Sequence, residues 1–160
     1  MLGMPSQYGR RLDAVALATR GVLGLFWGTL CFHVLAVLMG APPLSRFSHT
    51  LSWAVLMASV TAVPACCRFG AADPASPAGA GWSRCFVYAR PLGSCEDMAV
   101  ALPCYGALIG AWVGGCAGPL DWETAWQVWP IASGYGTCGG AAIGALLASV
   151  GTVLLIPSDE

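Results

Sequence analysis

The sequence predicts an all-α integral membrane protein of about four transmembrane helices, with a helical hairpin around a Trp-rich luminal loop. Three observations carry that prediction. Hydrophobic residues fill 57% of the 160 positions and charged residues only 9%, whereas a soluble domain is about a quarter charged. Four long apolar runs are separated by polar or proline-rich segments. In the last two runs glycine recurs at every fourth residue, which places it on one helix face.

Residues 1–20 read as a cytosolic N-terminal segment, residues 21–156 as the membrane domain and residues 157–160 as a tail. The first helix is expected at about 21–40, built on "VLGLFWGTLCFHVLAVLM", whose single ionisable residue is His33. A helix over this run reaches about 27 Å, close to the hydrocarbon thickness. Its apolar core exceeds that of a signal peptide, and Pro42 and Pro43 follow at once, so a retained helix is expected. The second helix is expected at 51–67, with Pro64 kinking or ending it. Residues 68–97 form a connecting loop. Its "GAADPASPAGAG" reads as a flexible linker, and "WSRCFVYAR" as a short interfacial helix or an irregular loop. The third and fourth helices are expected at 98–118 and 130–156, the last long enough to tilt.

Arginine placement orients the bundle. With a cytosolic N-terminus, Arg10, Arg11, Arg20, Arg68, Arg84 and Arg90 share that side, and Arg46 stands alone on the other. This positive-inside bias puts both termini and the 68–97 loop in the cytosol and the 119–129 loop in the lumen.

The luminal loop reads "GPLDWETAWQVWP" from residue 118. Trp122, Trp126 and Trp129 stand at i, i+4 and i+7, the spacing of one helix face. Asp121 is placed as an N-cap, Glu123 lies in the first turn and Pro130 marks a break. A short interfacial helix here would hold the indoles at headgroup depth and the carboxylates in water.

The glycine stripes are Gly106, Gly110 and Gly114 in the third run and Gly136, Gly140 and Gly144 in the fourth. Either the stripes face one another and pack the hairpin, or one of them receives a helix from another protein. Gly24 and Gly28 are a shorter instance in the first run.

Several chemistries are excluded or weakened. Lysine is absent and no basic cluster exists, so nucleic acid is not an expected partner. Six of the eight cysteines fall in apolar runs, only Cys85 and Cys95 lie in the connecting loop, and no pair has C-x-x-C spacing. Asp121, Glu123, His33 and His49 do not form a convergent metal site, so no metal, no cofactor and no catalytic residue is expected. His33 is a candidate intramembrane polar site, or a histidine hydrogen-bonded to a neighbouring helix.

"PLDWETAWQVWPI" resembles the luminal signature of the phosphatidylinositol-glycan biosynthesis class F family (PIG-F). "FHVLAVLMGAP", "TAVPACC", "WSRCF" and "GAWVG" are similar to other segments of that family in the same order, so the likeness spans roughly residues 22–150. The family has six membrane helices, and the chain is expected to be an N-terminally shortened member without the first two. The family's loop commonly reads Glu-Arg-Pro-Trp-Gln, where this chain has Thr124 and Ala125 after Glu123. The resemblance implies a non-catalytic subunit that stabilises the ethanolamine phosphate transferases of glycosylphosphatidylinositol (GPI) anchor biosynthesis in the endoplasmic reticulum. Its partners would be the large class O and class G proteins, and membrane lipid including the GPI precursor. Asp121, Trp122, Glu123, Trp126, Gln127, Trp129 and Pro130 are the candidate loop contacts with partner or lipid. The alternatives are a small membrane carrier, a glycolipid-binding protein, or an inactive shortened form.

Overall fold

The computed structural model describes residues 7–70, 95–116 and 124–155, and every regular element among them is helical. Four helices are long and apolar enough to cross a membrane: Asp13–Leu38, Phe47–Phe69, Cys95–Gly115 and Ile131–Leu154.

Helix α1 runs from Gln7 to Leu38 and so begins well before the apolar run. Hydropathy marks the stretch suited to lipid, not the end of the helix. Residues 7–20 are rich in alanine, leucine and arginine and contain no proline, so nothing stops the helix there. Its C-terminus is sharply made. Gly40 takes φ +104°, its N–H donates to the Val37 carbonyl, and the Ala41 N–H donates to the Ala36 carbonyl. This is a Schellman stop, followed by Pro42 and Pro43.

The second span is two helices, α2 (Phe47–Val60) and α3 (Ala62–Phe69), interrupted at Thr61. Pro64 has no N–H to offer the Val60 carbonyl. The Cys104 thiol lies 3.8 Å from that carbonyl and 3.6 Å from the one at Thr61, a weak substitute donor. Helix α4 (Cys95–Gly115) contains Pro103, and helix α5 (Ile131–Leu155) follows the loop.

Packing divides the bundle. Helices α4 and α5 form a tightly apposed hairpin, while α1 packs on α2 and α3. Ala36, Trp53, Ala54, Met57 and Ala111 form a core near one end, and Ala65, Phe69 and Ala101 form another near the opposite end. At that second end Arg68 of α3 meets Glu96 at 2.7 Å and Asp97 at 3.2 Å in the first turn of α4. A cation in a last turn and anions in a first turn also suit the two helix dipoles.

The expected helix across the tryptophan loop is corrected. From Thr124 onward there is one 3-10 turn, Ala125–Gln127, and then extended backbone at Val128 (φ −61°, ψ 124°). Two local causes are visible. Thr124 and Gln127 form a capping box that closes the turn on itself, and Pro130 disfavours helical backbone at Trp129. Trp126 and Trp129 therefore do not share a helix face. Asp121, Trp122, Glu123 and the "WSRCFVYAR" segment lie outside the described residues.

Candidate functional site

The end of the bundle that carries the tryptophan loop is held by side chains from three segments. Trp129 donates its indole N–H to Thr50 Oγ1 at 3.0 Å. Thr50 Oγ1 donates in turn to the Arg46 carbonyl at 3.2 Å, and the Arg46 guanidinium reaches the Trp129 carbonyl at 3.4 Å. These contacts close a circuit between the start of α2 and the start of α5. Thr50 is completely buried, so its hydroxyl needs both partners. The Trp129 ring stacks at a tilt on Trp53, 5.3 Å between centroids, and Phe32 of α1 meets Trp53 edge-on at 6.4 Å. Aromatic contact thus runs from α1 through α2 to the loop.

The hairpin beside this node is built on the glycines. A Cβ added to Gly106 would collide with the Gly140 carbonyl, and one on Gly140 with the Gly106 carbonyl. Gly110 and Gly136 stand in the same reciprocal relation. Gly114 faces the Ala132 carbonyl, and Gly144 faces Leu102 and Pro103. The two stripes therefore face each other in the structure, at backbone-to-backbone distance. Ser133 stitches the same seam, donating to the Ala111 carbonyl at 2.9 Å. The buried Thr137 donates to the Ser133 carbonyl at 2.8 Å and lies 3.3 Å from Met57 Sδ. Gly24 and Gly28 make a second close approach, against Cys66 and Ala62.

The other candidate residues separate. Trp126 is 40% exposed in the 3-10 turn, and Gln127 spends its side-chain carbonyl on the Thr124 N–H at 3.1 Å. The Pro130 carbonyl accepts the Gly134 N–H, which starts α5. His33 lies against the start of α2. Its ring meets Phe47 at 5.0 Å, and its Nδ1 is buried without a partner. Among the described residues no three His, Cys, Asp or Glu side chains come together.

Arg46, Thr50, Trp53 and Ser133 belong to this site, and sequence reasoning did not single them out for it. Arg46 carried one usable signal, as the lone cation on its side of the bundle. Between α1, α2 and α4 the node borders an open cavity of about 540 Å³, walled by Phe32, Ala36, Trp53, Met57, Trp112 and Trp129 among others.

Comparison with known proteins gives a consistent set. The family model described as "GPI biosynthesis protein family Pig-F" matches residues 6–149. A human protein, "GPI ethanolamine phosphate transferase, stabilizing subunit", is 34% identical over 116 residues, covering 72% of this chain and 50% of its own. "Glycosylphosphatidylinositol anchor biosynthesis protein 11" of Pyricularia oryzae is 35% identical over 131 residues, 81% of this chain and 46% of its own. The protein of that name in Yarrowia lipolytica is 30% identical over 145 residues, 84% of this chain and 60% of its own. The chain thus spans about half the length of the curated relatives it matches. No solved structure matches it.

Proposed function

The chain belongs to the GPI biosynthesis protein family Pig-F, and from that premise we propose that it is a non-catalytic membrane subunit stabilising the ethanolamine phosphate transferases of GPI-anchor biosynthesis. The name of the human relative, a stabilizing subunit of such a transferase, is what this reading extends to the present chain. One structural observation supports it most. Almost everything described is membrane-length helix, and the polar side chains that reach beyond their own helix, among them Arg46, Trp129, Ser133 and Arg68, join one element to another. A phosphoryl-transfer centre needs convergent charged ligands. The work of this chain is to present a shaped helical surface within the bilayer.

The partners in this proposal are the large class O and class G proteins, in the endoplasmic reticulum membrane. Both termini face the cytosol, as the arginine distribution favours. The Arg46–Thr50–Trp129 node then lies at the luminal surface, and Trp126 in its turn is an exposed aromatic available to a luminal partner domain. The glycine seam keeps α4 and α5 one rigid unit against which a partner helix can pack.

Co-purification in mild detergent tests the proposal. The chain is expected to be recovered with class O and class G subunits, and recovery with neither, under conditions that retain a human stabilizing subunit, would contradict it.

A further inference from the structure

The cavity beside Trp129 has walls of unusual origin. Phe32 and Ala36 of α1, with Met39 just beyond its end, form one side, Ala111 and Trp112 of α4 the other, and Trp53 and Met57 of α2 the floor. Helix α1 packs on α2 and α3, so its cavity-facing side is left apart from the α4–α5 hairpin and the cleft opens sideways. The rim is exposed and apolar, with Met39 69% and Trp112 63% accessible, while Met57 on the floor is 1% accessible. In a chain with four membrane-length helices, such a lateral opening faces hydrocarbon, not water.

One polar group lies in the wall of this apolar space, and a second, Arg46, stands outside the wall and is tied to it through Trp129. Trp53 is nine-tenths buried, and its indole N–H has no acceptor. Arg46 is exposed and fixed to the Trp129 carbonyl, at the level where tryptophan and arginine meet headgroups. Among the described residues it is the one arginine at this end of the bundle.

Volume decides between occupants. A helix is about 10–12 Å across and rises about 5.4 Å per turn, so the cleft would hold little more than one turn. A site of about 540 Å³ lies within the range of about 300–1,000 Å³ that holds small ligands. We infer that the cleft is a lipid site, taking one acyl chain of a bilayer phospholipid against Trp53 and Met57, with the lipid phosphate at Arg46. The guanidinium supplies a paired, charge-assisted contact to the phosphodiester, and the chain supplies apolar contact in the cleft. The inference needs only the membrane setting and holds whether or not the chain serves a transferase.

The test uses the whole chain alone, in vesicles of phosphatidylcholine carrying a diazirine midway along one acyl chain. After illumination, peptide mass spectrometry should place adducts on Trp53 and Met57 above those on Leu146 and Val150, which are exposed on α5. Arg46→Gln, an exposed change, should lower the Trp53 and Met57 adducts about tenfold and leave the α5 adducts alone. Ala36→Phe should remove them by filling the cleft. Adducts confined to the outer faces, or floor adducts indifferent to both variants, would overturn the inference. Floor adducts lost when a transferase subunit is co-assembled would assign the cleft to a partner helix, and would overturn it too.

Discussion

Trp129 illustrates how one residue can fasten the loop before α5 to the start of α2 in three ways. Its N–H serves Thr50, its ring rests on Trp53, and its carbonyl takes Arg46. These roles can be separated. Trp129→Phe keeps most of the ring contact and drops the hydrogen bond, for which about 0.6–1 kcal/mol is expected in a membrane protein. Trp129→Ala also removes the stacking surface and should cost about 3–5 kcal/mol. Thermal unfolding of both variants in one detergent distinguishes them, and equal losses would mean that the stacking contributes little. Trp126 should behave differently, since it is 40% exposed in the turn. Trp126→Ala is expected to leave unfolding within about 0.5 kcal/mol of the parent, as for surface positions, while weakening assembly with a transferase subunit. The reason this node was illegible is physical. Thr50 and Trp129 are 79 residues apart, and no periodicity within either segment signals the other. The tryptophan spacing suggested one helix face, and a capping box and a proline override that spacing over four residues.

At the scale of elements, Gly139 and Gly140 make the sharpest comparison. They are adjacent on α5, yet a Cβ on Gly139 meets nothing while one on Gly140 meets the α4 backbone. Gly139→Ala should therefore be neutral or stabilise by up to about 1 kcal/mol through helix propensity. Gly140→Ala must push two backbones apart and should destabilise by about 1–3 kcal/mol. If the two variants melt together, the hairpin seam is not as described. The four spans and both stripes are visible in the sequence because hydropathy and a four-residue period are local signals. The interruption of the second span was visible too, through Pro64. The early start of α1 was not, since apolarity reports lipid exposure and helix propensity continues beyond it.

The opposite end of the bundle has its own fastening. Asp97 is almost fully buried and meets Arg68, whereas Glu96 is largely exposed. Arg68→Gln should cost roughly 2 kcal/mol, less than for a fully buried pair because Arg68 keeps partial access to water. Glu96→Gln should cost under about 0.5 kcal/mol. Chemical or thermal unfolding of the two variants checks the ranking, and a larger effect from Glu96 would reverse the assignment of which carboxylate matters.

For the whole molecule, a tight hairpin and a looser three-helix layer are pinned together at both ends and separated along one side by an apolar cleft. That arrangement suits the supporting role within the bilayer that we propose. Polar groups at both ends and along the hairpin fasten one element to another, and the broad outer faces of α1 and α5, with Phe26, Trp27, Leu146 and Val150 exposed, remain for lipid and partner. The most direct test is the half-life of a class O transferase subunit in cells deprived of their own Pig-F family member and supplied with this chain. The half-life should lengthen with the parent chain and with Gly139→Ala, and shorten again with Gly140→Ala. A half-life unaffected by the chain, with transferase activity restored all the same, would contradict stabilisation as its function.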